Sequence, residues 1–557
     1  MGWEALFAYA LLAVVFGRHS VAHLGSVCSC SQMPDSWQSS WPFAWFPYAL
    51  THGLNPWYTH AIWNPPGFDV AGGTTFPLVA MIFWPVTAIW GPLTSANTAN
   101  LCAPVLTAWA TYHLCRYVSK DRAAALIAGA SVGFGGYEIQ QMWSGHLFMT
   151  MFVAPQFAAL AALRYMDGAT GRRRAIVELT VCLVAQMFIS SEIFVTMTML
   201  GGVLLLLGFA FGTKQIRGRL RSLIVPLAVA YGVTVVLSAD YLYWINEAPR
   251  YAVGLGSGYP TTLASYVIPT PPAWVGGLTF LPSYYSLTYN IGENAYIGVP
   301  LILIALAWLW SHRRGRLSWF FAAATVISVL WVLGPTLFVV GKPTGIWMPY
   351  RLLYDLPVFN LIIEDRAAVY TEVLVAVMLT LWLADRRRRP VMKWIAALAA
   401  VVCVLPNLLH IDPAWDSDTG QVMYPFFATN MYKKYIPRGG NMMPVPWGGG
   451  SSDLVWQAED HMYYNLANGY FILGSPTGWT GSQILNDLGA NVPLPGDAAR
   501  MRAMLVSKHI DDLVVFPAYL ATWQATFRAA GLGRPIYVGG IYLYKGPWRA
   551  NGSKPVS

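Results

Sequence analysis

The sequence predicts an α-helical polytopic membrane protein with about eleven spanning helices, a re-entrant or in-plane segment and a small C-terminal α/β extracytoplasmic domain. Three observations predict it. The 557 residues are 56% hydrophobic and 11% charged, whereas soluble domains carry roughly 25% charge. Apolar runs approaching the roughly 20 residues that cross a bilayer recur from residue 4 to residue 410. From about Asp412 those runs give way to turn-rich stretches and to strand-like patterns such as DDLVVFPAY and PIYVGGIYLY.

The expected spans are roughly 4–25, 95–117, 123–141, 147–165, 175–190, 192–212, 222–245, 295–311, 318–340, 367–384 and 393–410. The first lacks a basic flank and a small-residue cleavage site, so it reads as a retained helix and not a signal peptide. Basic clusters follow the spans: Arg116, Lys120 and Arg122; Arg172 to Arg174; Lys214, Arg217, Arg219 and Arg221; Arg313, Arg314 and Arg316; and Arg386 to Arg389 with Lys393. Short basic loops belong on the cytoplasmic side. All five fall there if the N-terminus is inside and the apolar stretch 74–93 does not cross. That stretch contains Pro77 and Pro85 and ends in Gly91-Pro92, which suits irregular backbone at membrane depth. The run 175–212 turns at Ser190-Ser191-Glu192. The expected domains are 1–411, with a first outer loop over 26–94, and 412–557, with a helix near 497–508.

The net charge of +9 does not signal nucleic-acid binding, because the basic residues sit in the short loops between apolar runs. Cys28 and Cys30 form a C-x-C in the first loop. Cys102, Cys115, Cys182 and Cys403 lie in apolar runs, where cysteine acts as a small apolar residue, and no zinc spacing is present.

Pro34–Gly73 is the most unusual stretch. It opens with Asp35, ends near Asp69, contains His52 and His60, and carries five tryptophans broken by proline and glycine. Such a composition suits a loop in the headgroup zone. Trp37, Trp41 and Trp45 recur at helical spacing, so a short helix is expected directly after Asp35. The helix count puts further ionisable groups on the same side: Glu138, His146, Glu192, Asp240, Arg250, Glu293, Lys342, Arg351, Asp365 and Arg366. Ionisable groups at membrane depth are costly and line pathways or sites. Each has a plainer role: Asp35 as a helix N-cap, the arginines as interfacial anchors, His146 as a structural hydrogen-bonding group, and Glu192 as a helix-start acid. Chemically, an acid opening an outer loop can deprotonate a hydroxyl, and an arginine fork at headgroup level can hold a lipid phosphate. Asp35 is therefore the candidate base. Arg366, Arg351, His146, Glu192 and Asp69 are candidate substrate or phosphate ligands. Asp35, Asp69 and a histidine could hold a divalent metal such as Mg or Mn, although their spacing matches no fixed signature.

The segments PDSWQSSWPFAWFPYALTHGLNPW, WNPPGFDV, GFGGYEIQQMWSGHL, SSEIFVTMTM, ENAYIGVPL and IIEDRAAVY, in that order, resemble those of GT-C integral membrane glycosyltransferases of a poorly characterised bacterial branch. Such enzymes commonly carry two near-adjacent acids in the first loop, where this chain has Asp35 followed by Ser36. The resemblance implies an inverting transfer on the outer face of the cytoplasmic membrane. The donor would be a polyprenyl-phosphate sugar, and the acceptor a glycan, lipid or protein of the cell envelope. Two other classes remain in play. A lipid-linked glycan transporter or flippase would show repeats with paired broken helices, and only one break is evident. A non-catalytic scaffold would lack a cavity at Asp35.

Overall fold

The structure, a computed structural model, describes residues 2–29, 37–248, 261–269, 273–275, 295–339, 342–354, 356, 359, 362–404, 416–418, 423–448, 452–470, 476, 479, 481–546 and 548. Asp35, Arg250 and Glu293 lie outside them. The chain forms two compact units: residues 1–21, 99–239 and 253–412, and residues 22–98, 240–252 and 413–557.

The first unit is helical. Its central element is Ala368–Ala384, extended at its start by the turn Glu364–Ala367. It packs against Arg122–Gly133, Val299–Ser311 and Arg316–Val332. Within 364–384, 83% of the apolar window is buried, against 17% for Ser191–Phe211 and 28% for Lys214–Leu237. A helix apolar all round is either a core helix or a lipid-facing one. These fractions make 364–384 the core and leave the other two to present side chains such as Leu206 and Val236 outward.

Among the described residues, those three helices are long and apolar enough to cross a membrane by length and composition, and four shorter apolar helices accompany them. The difference from the expected spans has a local cause. The expected span 123–141 ends as a helix at Gly133, and a second helix starts at Gly136. A Cβ on Gly136 would lie 2.4 Å from the Tyr296 carbonyl oxygen, so close backbone packing interrupts the run. The expected span 147–165 is helical only over Ala154–Met166. At the 175–212 turn, the Ser190 hydroxyl accepts from the Ile193 amide at 3.3 Å and starts the second helix.

In the second unit, the 74–93 stretch forms two short helices, Pro77–Ile82 and Trp84–Trp90. Neither approaches spanning length. The C-terminal part carries a five-stranded sheet ordered Ile536–Val538, Ile541–Lys545, Asp512–Val515, Asn441–Val445, Asn465–Leu466. The first three strands run antiparallel, and the last two pairings are parallel. The strand-like patterns at 511–519 and 535–544 and the expected helix, here Asp497–Ser507, lie in this domain.

The first loop folds with this sheet. Its helix, Trp41–Thr51, stacks Trp41 on Trp45 with centroids 5.3 Å apart. The rings are packed inside rather than displayed: Trp41, Trp45, Trp57 and Trp63 are all buried. Residues 61–64 run along the edge strand, where Leu466 N donates to Ala61 O and Asn64 N donates to Leu466 O. Gln457, fully buried on the helix Asp453–Glu459, ties the parts together. Its Oε1 accepts from Trp41 Nε1 at 2.8 Å, and its Nε2 donates to Ala61 O and Tyr464 O at 2.6 and 2.8 Å.

Two stability predictions follow from this unit. Gln457→Leu removes the Gln457 bonds of the Trp41 indole and the Tyr464 carbonyl, each costing about 1–3 kcal/mol, while Ala61 O keeps its bond from Leu466 N. It should lower the melting temperature and open residues 37–73 to protease; wild-type melting would show that the loop docks by other means. The second concerns Asp460. Burial lifts its carboxyl to about 8, against a hydrogen bond from Tyr464 that favours the anion. Between the unfolded value near 4 and about 8, the folded chain holds a proton that the unfolded chain has released. The resulting stabilisation is complete below pH 4 and is lost as pH rises through 8. Asp460→Asn should flatten that slope in melts at pH 5 and pH 9; an unaltered slope would assign it to other groups.

Candidate functional site

Three of the residues singled out from the sequence meet in the first unit. Arg366 sits on the turn that opens the core helix and is 7% exposed. Its Nη1 donates to Glu192 Oε2 at 2.7 Å. Glu192 is in the first turn of Ser191–Phe211, placed by the Ser190 cap. The guanidinium lies over the Phe148 ring at 5.4 Å. That ring is 5.7 Å from the ring of His146, and His146 Nδ1 is 2.8 Å from Gln141 Oε1. Gln141, His146, Phe148, Arg366 and Glu192 thus form a continuous series of contacts.

Buried carboxylates hold the segment that supplies His146 and Phe148. Glu372 Oε1 accepts from the Tyr137 amide at 2.9 Å, in the first turn of Gly136–Trp143. Glu138 Oε1 takes the Thr107 hydroxyl and the Met151 amide at 3.4 and 3.3 Å. Met151 has φ +59°, a conformation that needs such support. Thr107 also accepts from the Phe152 amide at 2.9 Å. Glu364, beside Arg366, is buried as well. One oxygen each of Glu138, Glu192, Glu364 and Glu372 has no hydrogen-bond partner among the described residues.

The other candidates are placed elsewhere. Arg351 lies in the first unit, exposed, with its guanidinium 5.9 Å from the Trp347 ring and 5.8 Å from that of Tyr354. Asp69 lies in the second unit on the two-stranded ladder Tyr58–Thr59 with Phe68–Asp69. Its Oδ1 accepts from Gly72 N at 3.1 Å, which fixes the following turn, and burial raises its carboxyl above the usual range. In the same unit, Asp240 accepts from Trp57 Nε1 at 2.6 Å, and Cys28 is disulfide-bonded. Among the described residues no three His, Cys, Asp or Glu side chains converge as metal ligands. Asp69 therefore has no described set with which to hold a divalent ion.

Sequence reasoning passed over Glu364 and Glu372. For Glu372 a signal was present, since an acid inside the apolar run VYTEVLVAV is costly unless it has a task. Phe148 gave no signal, because one aromatic in an apolar run is ordinary. The Arg366–Glu192 pair can be tested directly. Breaking a buried pair from one side costs about 3–5 kcal/mol, while replacing both members by apolar residues is often near neutral. Glu192→Ala should therefore lower stability markedly, and Glu192→Leu with Arg366→Met should recover most of the loss. Additive losses in that cycle would mean that the contact carries no coupling.

Comparisons with known proteins bear on this architecture. Residues 47–137 match the family model for oligosaccharyl transferase STT3, N-terminal. No curated protein matches the chain in sequence. Among solved structures, the mycobacterial arabinofuranosyltransferase AftD aligns at 13% identity and TM-score 0.59, over 98% of this chain and 39% of AftD. The chain thus spans about two fifths of AftD's length. The Archaeoglobus fulgidus oligosaccharyltransferase aligns at 12% identity and TM-score 0.52, over 92% of this chain and 69% of that one; it has also been solved with zinc and sulfate, and with a dolichol-phosphate and an inhibitory peptide. ArnT from Cupriavidus metallidurans, solved with undecaprenyl phosphate, aligns at 10% identity and TM-score 0.53, over 100% of this chain and 99% of ArnT. The chain shares the fold of these membrane glycosyltransferases.

Proposed function

We propose that this protein transfers a sugar from a polyprenyl-phosphate donor to a cell-envelope acceptor on the outer face of the cytoplasmic membrane. The observation that carries the reading is the buried Arg366–Glu192 pair, joined through Phe148 to His146, in a chain of GT-C fold. A phosphate leaving group needs positive charge beside it. Arg366 supplies a guanidinium fork, of which one nitrogen is engaged by Glu192. On donor binding the phosphate would compete with Glu192 for that fork. Arg351, exposed near the Trp347 and Tyr354 rings, would meet the phosphate at headgroup level. The unpartnered oxygens of Glu192 and Glu364 are acceptors that sugar hydroxyls would satisfy. His146 lies within the same series of contacts.

Asp35 is the proposed general base. It would take the proton of the acceptor hydroxyl as that oxygen attacks the anomeric carbon. The bond to phosphate breaks in the same displacement, and polyprenyl phosphate leaves with the electron pair, inverting the configuration. Asp69, pinned to the turn at Gly72, would act on the substrate through the loop. The dolichol-phosphate and undecaprenyl-phosphate complexes of the structural neighbours support a lipid-linked donor. The disulfide at Cys28 supports an oxidising, extracytoplasmic side for the first loop.

Two variants test the reading in membranes supplied with extracted lipid-linked sugar. Asp35→Asn should express normally with transfer lowered on the order of 10²-fold or more, the scale of losing a general base. Arg366→Lys keeps the charge but loses the fork, so the apparent KM for donor should rise with less effect on kcat. Normal transfer by the first variant together with an unaltered KM in the second would overturn the assignment.

A further inference from the structure

We infer that the hairpin Thr336–Val339/Lys342–Trp347, with the turn Arg351–Tyr354, is a bilayer-docking device that rests among anionic phospholipid headgroups. The inference needs the chain to be in a membrane but does not depend on glycosyl transfer.

The hairpin is a two-stranded sheet of its own. Every residue of Lys342–Trp347 is exposed, on both faces. Trp347 is 78% and Leu352 84% exposed, and Val339 and Ile346 are more than half exposed. An isolated two-stranded hairpin is marginal in water, and an uncovered apolar edge invites aggregation. Something must therefore cover this one.

Three features make that cover a lipid surface. The first is length. Arg316–Val332 has 17 residues, about 25 Å of helix, while the hydrocarbon core is about 30 Å thick. The helix starts beside Arg313 and Arg314, basic anchors at one boundary. Starting there, it stops just short of the other boundary, and the hairpin's first strand begins four residues later. The second is exposure. Leu317, Trp319 and Val326 of that helix are exposed apolar residues, and after the buried stretch 331–335 apolar exposure resumes in the hairpin. The third is charge. Residues 336–354 carry Lys342 and Arg351 and no acid. Arg351 lies near the Trp347 and Tyr354 rings, the pairing of basic and aromatic side chains that favours the interface. A soluble protein partner would account for the apolar area but not for the helix length that sets its depth.

The test uses the full-length chain in phosphatidylcholine nanodiscs containing phosphatidylglycerol. Ile346→Cys is labelled with an environment-sensitive fluorophore, and labelling of the unsubstituted chain is subtracted as background. A spin label on the lipid headgroup should quench the fluorophore strongly, and aqueous iodide should quench it several-fold less than it quenches the free dye. Adding Lys342→Glu and Arg351→Glu should raise iodide access without moving the melting temperature. Quenching by iodide equal to that of free dye would overturn the inference, because the hairpin would then stand in water. Shielding from both quenchers would also overturn it, since a protein would then cover the hairpin. Unchanged iodide access in the charge-reversed variant would overturn the assignment to anionic headgroups.

Discussion

A guanidinium held out of water needs a counter-charge, and Arg366 finds it in Glu192. Much of the first unit follows from that requirement. The pair can form only if the turn at Ser190 brings Glu192 to the start of its helix and the 364–367 turn brings Arg366 to the start of the core helix. Phe148 then covers the guanidinium face, which fixes where residues 144–153 must lie. Glu138, Glu372 and Thr107 supply the hydrogen bonds that this irregular backbone requires away from water. Such an arrangement gains less in net stability than apolar packing would. What it provides is a cation and several carboxylates at defined positions in a low-dielectric setting, where their fields are strong.

The parts of this architecture legible in the sequence are those written in hydrophobic period and charge. The break at Ser190, the interruption of helix within 74–93 and the strand and helix patterns after residue 497 could each be read from Pro, Gly, Ser and alternation. His146, Glu192 and Arg366 could be singled out because ionisable residues beside apolar runs are conspicuous, but nothing in their spacing says that they touch. The Arg366–Glu192 contact spans 174 residues, His146 joins it through Phe148, and both are properties of packing. The interruption at Gly135-Gly136 was not legible, because the carbonyl it accommodates comes from Tyr296.

The aromatic first loop shows the same limit from the other side. Its composition suits the headgroup zone, yet Trp41, Trp45, Trp57 and Trp63 are interior. The deciding partner of Trp41 is Gln457, a polar residue in a stretch, DLVWQAED, with no outward sign of importance. A tryptophan offers a large apolar surface and one donor. A buried glutamine that can take that donor is worth more to it than the headgroup zone. One surface that does display aromatic and basic residues together is the 336–354 hairpin, whose sequence is much less conspicuous.

The union of the first loop with the C-terminal sheet has a consequence for how the protein comes to exist. Trp41 and Gln457 are 416 residues apart. Synthesis at roughly 5–20 residues per second leaves the loop waiting about 20–80 s for the helix and the edge strand that complete it. Through that interval Trp57 can meet Asp240, but Trp41 has no Gln457 to bond. The second unit therefore closes last, after the intervening helices have been made. Its contact order is high and its assembly correspondingly slow. A ribosome that stalls before residue 457 leaves behind a chain whose Trp41 has no Gln457 to bond and whose loop lacks the edge strand it runs along.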